Sequence, residues 1–269
     1  MMMNRSSSIS AHESQLLLAA LLLLFYSNCP TCNALATSNS KTYNYFAYGS
    51  NMASSTMINL RNLSPLASSA AVLPGHSLRF NIPGVPGVEP SSAAVEPAAG
   101  ISLDDDDAIL KSDEVVHGVL YKLTAEDFAT VCQTEGVPFG YSLHRCRAIP
   151  YTGDGKTAGQ EALSRALTST LIPEEGASSS INMTEQQSRN NSWGVSAFTL
   201  RAARKEWRRE GTDIPPSQSY LNVLIRGANE FALDKSYTQN LENIQVGRTW
   251  IGNGLAEDML RRAERRKST

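Results

Sequence analysis

The chain has 269 residues, of which 41% are hydrophobic and 19% charged, a composition of a soluble globular protein large enough to bury a sizeable core. Its formal net charge of −2 leaves no electrostatic footprint for nucleic acid, because the basic side chains are spread along the chain or gathered near its end. The four histidines, His12, His76, His117 and His144, show no i, i+4 pairing with another ligand, so the sequence predicts no metal site.

Residues 1–36 carry the pattern of a secretory signal peptide. Arg5 and the amino terminus supply positive charge, 16–26 is an unbroken apolar run, and Ala34, Leu35 and Ala36 form a small-residue site for cleavage after Ala36. As a helix that run would reach about 17 Å, short of the about 30 Å of a bilayer core, so no stable membrane span is expected in the mature chain. The leader implies the secretory pathway and the extracellular space, or alternatively the first half of a plastid address in a complex alga. Cys29 and Cys32 would leave with it, and Cys132 and Cys146 would remain, either bridged or as two buried thiols.

Residues 37–250 read as one α+β domain, a mixed β-sheet or partly closed β-barrel with surrounding helices. The aromatic run 43–48 predicts a half-buried strand, and Gly49 permits the bend after it. Ser50 and Asn51 could cap a helix over 52–60, whose first N–H groups would hold an anion. A strand over 76–82, a Pro/Gly corner over 83–90 and a short strand over 91–96 follow. Asp104, Asp105, Asp106 and Asp107 lack the glycine and distal glutamate of an EF-hand, so 100–113 reads as a solvated loop. Next come a strand over 115–123 and a helix capped by Thr124, with Phe128, Val131 and Cys132 facing the core. A strand over 141–151 precedes a polar insertion at 152–192, expected to be flexible, with a short helix near 161–167. A strand over 195–200, a helix opened by Pro215, Pro216 and Ser217 and running to 229, and a helix capped by Asp234 and running to 244 complete the domain. Residues 251–269 form a basic tail, amphipathic and helical over 255–265.

One carboxylate stands out chemically. Glu135 falls where the helix begun at Thr124 should stop, with Gly136 as the natural C′ residue. The negative end of the helix dipole, with partial burial, would disfavour ionisation there and suit proton transfer.

The segments YFAYGSNM at 45–52, HGVLYKL at 117–123, TEGVPFGY at 134–141, PPSQSY at 215–220 and RGANEFAL at 226–233 resemble, in order and spacing, the γ-glutamylcyclotransferase family. The resemblance covers about 43–246. It implies an AIG2-like fold and an enzyme that needs neither metal nor cofactor. Its partner would be a small-molecule γ-glutamyl substrate, whose α-amine attacks its own γ-carbonyl and releases 5-oxoproline and an amine or amino acid. By this resemblance Glu135 is the general acid/base. The loop of Tyr45, Phe46, Ala47, Tyr48, Gly49, Ser50 and Asn51 holds the substrate, and Tyr141 and Tyr220 orient it. The stretch 89–97 departs from the Gly-Gly-Ala-Thr-like core of well-known members, which together with the long insertion would reshape the acceptor side. A related amide-cleaving enzyme, or a non-catalytic binding protein for γ-glutamyl ligands, is the alternative.

Overall fold

The computed structural model describes residues 41–99, 114–171 and 193–249, together with Arg265. The leader, the Asp104–Asp107 loop, most of the 152–192 insertion after its helix, and the basic tail lie outside the described residues.

Five strands close into a barrel in the order β1-β5-β2-β6-β7. They are β1 (Thr42–Ala47), β2 (Ala67–Pro74), β5 (Val115–Thr124), β6 (Tyr141–Tyr151) and β7 (Val195–Ala202). Neighbours pair antiparallel, and the seam is closed by a parallel contact of β1 with β7 at Tyr45 and Phe198. Two further strands, β3 (His76–Val85) and β4 (Glu89–Pro97), form a separate hairpin. Thus the expected corner at 83–90 is narrower than the composition suggested, since strand pairing reaches Val85 and resumes at Glu89.

Among the described residues, four α-helices longer than one residue surround this frame. In α1 (Ala125–Thr134), the Thr124 hydroxyl accepts from the Asp127 N–H at 3.1 Å, and Phe128, Val131 and Cys132 are buried as their spacing required. Tyr43 of β1 stacks on Phe128 with centroids 4.7 Å apart, which fastens α1 to the barrel. The helix α2 (Ala158–Leu171) is longer at both ends than the short helix expected there. In α3 (Gln218–Glu230) the Ser217 hydroxyl accepts from the Tyr220 N–H at 3.0 Å, and Tyr220, Leu221, Val223, Leu224, Gly227 and Ala228 are buried along one stripe. The last helix, α4 (Lys235–Glu242), follows Asp234, whose fully buried carboxylate serves a different helix from the one expected. It accepts from the Gly159 and Gln160 N–H groups at 2.8 and 2.9 Å, so it caps the start of α2 and ties α2 to α4.

The expected helix over 52–60 is not a regular one. A three-residue 3₁₀ turn at Ser50–Met52 leads into a π-helix at Ser55–Leu60, in which the Arg61 N–H bonds the Thr56 carbonyl five residues back at 3.0 Å. Ser54, Ser55 and Thr56 are weak helix formers with hydroxyls that compete for backbone partners, so the wider turn meets little resistance. Cys132 and Cys146 are unbridged thiols, which decides between the two alternatives for them. No helix among the described residues is long and apolar enough to cross a membrane.

The hairpin meets the barrel at a histidine pair. His76 donates from Nδ1 to the Pro74 carbonyl at 2.8 Å, which leaves its Nε2 to accept from His144 Nε2 of β6 at 3.3 Å. Burial, followed by the neighbouring His76, Arg201 and Arg208, lowers His144 to about 4. Burial lowers His76 as well, against the opposing pull of the Pro74 carbonyl, Glu96 and Glu114. His117, buried beside Asp234, is also lowered to about 4 by desolvation. An unfolded histidine takes its proton near pH 6.5, so between about 6.5 and about 4 the unfolded chain binds more protons than the folded one. These contributions to stability are therefore complete above about pH 6.5 and are lost as pH falls towards 4. The melting temperature is expected to fall steadily across that window in calorimetric scans, and His144→Gln to flatten part of the fall. A melting temperature constant from pH 6.5 to 4 would contradict neutral, buried histidines.

Candidate active site

Strand β1 ends at Ala47, and the Tyr48–Gly49 bend carries the chain across the end of the barrel towards α3. Gly49 has φ −107°, so its role is space rather than left-handed geometry: a Cβ there would sit 3.1 Å from the Tyr220 hydroxyl. The Ala53 and Met52 N–H groups are taken by the Ser50 and Gly49 carbonyls at 3.2 and 3.0 Å. The regular helix whose first N–H groups were expected to hold an anion is thus replaced by a tight backbone turn.

Glu135 is the C-cap of α1, and Gly136 follows at φ 69°, the left-handed conformation that ends the helix. From there the carboxylate meets the loop directly, because Asn51 Nδ2 donates to Glu135 Oε1 at 3.0 Å and to the Tyr45 hydroxyl at 2.9 Å. Arg61, at the end of the π-helix, forms an ion pair with the same carboxylate oxygen and also donates to the Thr134 hydroxyl. Both charged side chains are largely enclosed, at 11% and 13% exposure.

A narrow, nearly filled cleft with about 10 Å³ of free space lies beside Glu135. Tyr45, Tyr48, Gly49, Ser50, Asn51, Tyr141 and Tyr220 line it with Glu135, which gathers eight of the sequence-predicted residues at one place. Phe46 and Ala47 do not join them. Both are fully buried in the barrel wall, where the Phe46 carbonyl accepts from the Thr199 hydroxyl at 2.9 Å and the Ala47 carbonyl lies against Gly118. A contiguous sequence motif does not make a contiguous surface when its first half is a strand whose side chains alternate between faces.

The cleft wall opposite the loop comes from hairpin β3–β4, whose second strand is the 89–97 stretch expected to shape the acceptor side. The Ala93 N–H donates to the Tyr220 hydroxyl at 3.1 Å, and its carbonyl accepts from Tyr141 at 2.8 Å. Tyr48 donates to the Leu200 carbonyl at 2.6 Å, with the Ala93 carbonyl a second acceptor at 3.5 Å. The backbone of one residue thus organises three tyrosine hydroxyls. Burial pushes the hydroxyls of Tyr45, Tyr48, Tyr141 and Tyr220 up, and the Glu135 charge adds to this in each. All four stay protonated at neutral pH, able to orient and donate but not to act as bases, so among the residues lining the cleft the carboxylate of Glu135 is left as the group that can take up a proton.

Sequence reasoning also missed Arg61. A lone arginine after a helix that ends in Leu60 carries no local mark of a site, and only the tertiary pairing with a residue 74 positions on reveals it.

The AIG2-like family matches residues 115–241. The chain is 31% identical over 190 residues to the γ-glutamyl cyclotransferase gliK of Claviceps purpurea, covering 71% of this chain and 64% of that protein. It is 34% identical over 116 residues to the γ-glutamyl cyclotransferase verK of Clonostachys rogersoniana, covering 42% of this chain and 64% of that one. The chain thus spans a little under two thirds of the length of these curated relatives. Among solved structures, a γ-glutamyl cyclotransferase superposes with TM-score 0.51 at 16% identity, over 84% of this chain and 99% of that one. An uncharacterized protein from Homo sapiens does so with TM-score 0.51 at 18% identity, over 82% and 99%. At these identities the structural likeness is one of fold, the α+β barrel with its helices, and it is the sequence relatives that carry the kinship. The chain belongs to the AIG2-like, γ-glutamyl cyclotransferase family.

Proposed function

We propose that the protein is a γ-glutamylcyclotransferase that converts γ-glutamyl amino acids or amines to 5-oxoproline and the free amino acid or amine. The observation that carries this reading is the direct hydrogen bond between Asn51 of the turn and Glu135 of the α1 terminus, which joins the two halves of the family pattern in one cleft.

The chemistry assigns each part a task. The substrate arrives with its α-amine as an ammonium, which is not a nucleophile. Glu135 accepts a proton from it, the free amine attacks the γ-carbonyl of the same molecule, and the C–N bond to the leaving group breaks as Glu135 returns that proton to the departing amine; the second proton, shed by the attacking nitrogen as the lactam forms, leaves with the amine as its ammonium. The new amide bond closes the five-membered ring of 5-oxoproline. Negative charge grows on the γ-oxygen during attack, and the backbone of the 49–51 turn with the hydroxyls of Tyr45 and Tyr220, which accept in the hydrogen bonds described above, supplies donors for it. Because nucleophile and electrophile belong to one molecule, holding the chain folded is itself a large part of the catalysis. The leader at 1–36 would send this activity into the secretory pathway or a plastid, a reading that rests on sequence pattern alone.

The test is release of 5-oxoproline from a panel of γ-glutamyl dipeptides and γ-glutamyl amines, followed by mass spectrometry. Turnover of at least one member with stoichiometric 5-oxoproline is expected. Cleavage that yields glutamate instead would show a hydrolase on the same fold, and ligand binding without any turnover would show a binding protein.

A further inference from the structure

We infer that Arg61 is the receptor for the substrate's α-carboxylate, and that substrate binding exchanges the internal Arg61–Glu135 ion pair for two ion pairs with the substrate. The inference rests on the γ-glutamyl reading above and names a residue which that reading does not use.

Two observations lead to it. The first is charge complementarity. A γ-glutamyl compound presents an ammonium and a carboxylate on one carbon, and the cleft is lined by one carboxylate, Glu135, whose ion-pair partner, the Arg61 guanidinium, lies just outside the cleft lining. Around this pair stand protonated tyrosines and backbone, which carry no net charge. A zwitterion placed between Arg61 and Glu135 keeps every charge paired, with its carboxylate on the guanidinium and its ammonium on the carboxylate that must deprotonate it. A substrate bound without that exchange would have to leave Glu135 facing Arg61 and away from the amine.

The second observation is a matched pair of orphans. Arg61 Nε and Asn51 Oδ1 are both buried without a hydrogen-bond partner. Arg61 engages Glu135 and Thr134 through its terminal nitrogens, while Asn51 spends its amide N–H groups on Tyr45 and Glu135. Buried polar atoms left without partners are uncommon, and these two flank the same carboxylate, one a donor and the other an acceptor. A carboxylate satisfies the first and an ammonium the second. The guanidinium fork also suits a planar carboxylate better than a single oxygen, since it can present Nε and a terminal nitrogen side by side.

Binding of the product separates this role from a structural one, because 5-oxoproline retains the α-carboxylate and 5-oxoprolinamide lacks its charge. Calorimetric titration of wild type is expected to show the acid bound roughly 10- to 100-fold more tightly than the amide, the range for a charge-assisted hydrogen bond. Arg61→Met should erase that preference by weakening the acid and leaving the amide almost unchanged, and Arg61→Lys should retain part of it. Glu135→Gln should strengthen binding of the acid, because the competing carboxylate is gone. That last gain keeps the test sharp even if Arg61→Met fails to fold. A wild type that does not prefer the acid, a preference that survives Arg61→Met, or weaker acid binding in Glu135→Gln would each overturn the assignment. Measured alongside 5-oxoproline release by wild type, the outcomes separate. Turnover without acid preference removes Arg61 alone, whereas no turnover and no binding of either compound removes the cyclotransferase reading with it.

Discussion

Glu135→Gln is expected to lower kcat/KM for 5-oxoproline release by about 10²- to 10⁴-fold. The substitution preserves shape and one acceptor oxygen, so the hydrogen bond from Asn51, 3.0 Å long in the native site, has a partner in the variant. What disappears is the ability to take a proton from the α-ammonium and deliver it to the leaving amine. The cleft offers no substitute, since Tyr45, Tyr48, Tyr141 and Tyr220 are all held protonated by burial and by the nearby negative charge. The loss should appear mainly in kcat, because a group that acts during proton transfer contributes more to the transition state than to the bound ground state. Glu135→Asp keeps the charge but withdraws the carboxylate by about one methylene, and a displacement near 1 Å costs on the order of 10²-fold when geometry is the source of rate. Undiminished turnover in Glu135→Gln would remove the acid/base assignment, whatever the variant's stability.

The parts of this protein that were legible in advance are those fixed by local chemistry. Thr124 announces α1 because a hydroxyl three residues before Asp127 has one good use, and the burial of Phe128, Val131 and Cys132 follows from helical spacing. Glu135 could be singled out because Gly136 marks a helix stop. Strand β2 was missed because Ala67–Pro74 is mostly Ala and Ser, residues with little strand preference, and its place is decided by pairing with β5 and β6 on either side. Asp234 shows the opposite failure. It looks like the cap of the helix it precedes, yet the start of α2 lies within reach in three dimensions and takes both oxygens. The Ala93 backbone lines the cleft from the 89–97 stretch, and Arg61 pairs with Glu135 from a segment that has no periodicity or motif to mark it. The sequence therefore pointed to most of the residues that meet at the cleft, while several of the groups that hold them in position became visible only with the fold.

The hairpin that supplies Ala93 is itself held by a buried ion pair, and breaking that pair is expected to be the most destabilising single change near the site. Glu96 of β4 is 3% exposed; its Oε2 accepts from Arg201 Nε and Nη2 of β7 at 2.9 and 2.6 Å, and its Oε1 from the Ala202 N–H at 3.1 Å. Glu96→Ala strands the Arg201 guanidinium, 19% exposed in the native pair, and an orphaned backbone donor in the interior. Removing one partner of such a pair costs about 3–5 kcal/mol, which for a domain of this size corresponds to a fall in melting temperature of roughly 6–20 °C. Removing both partners should cost much less, since Glu96→Leu with Arg201→Met replaces two buried charges by apolar volume. A double variant as unstable as Glu96→Ala would mean that the ion pair is not what holds the hairpin down. The far end of the hairpin has its own anchor, where Glu89 accepts from the Ser217 N–H and hydroxyl at 3.2 and 2.7 Å, so the Glu96 variants should stay tethered to α3 while loosening over the barrel. Ala93 lies between these two anchors, and its backbone sets the directions of the Tyr141 and Tyr220 hydroxyls. Turnover in Glu96→Ala, measured well below its melting temperature, should therefore fall further than in the double variant, where a packed hairpin returns that backbone to its place.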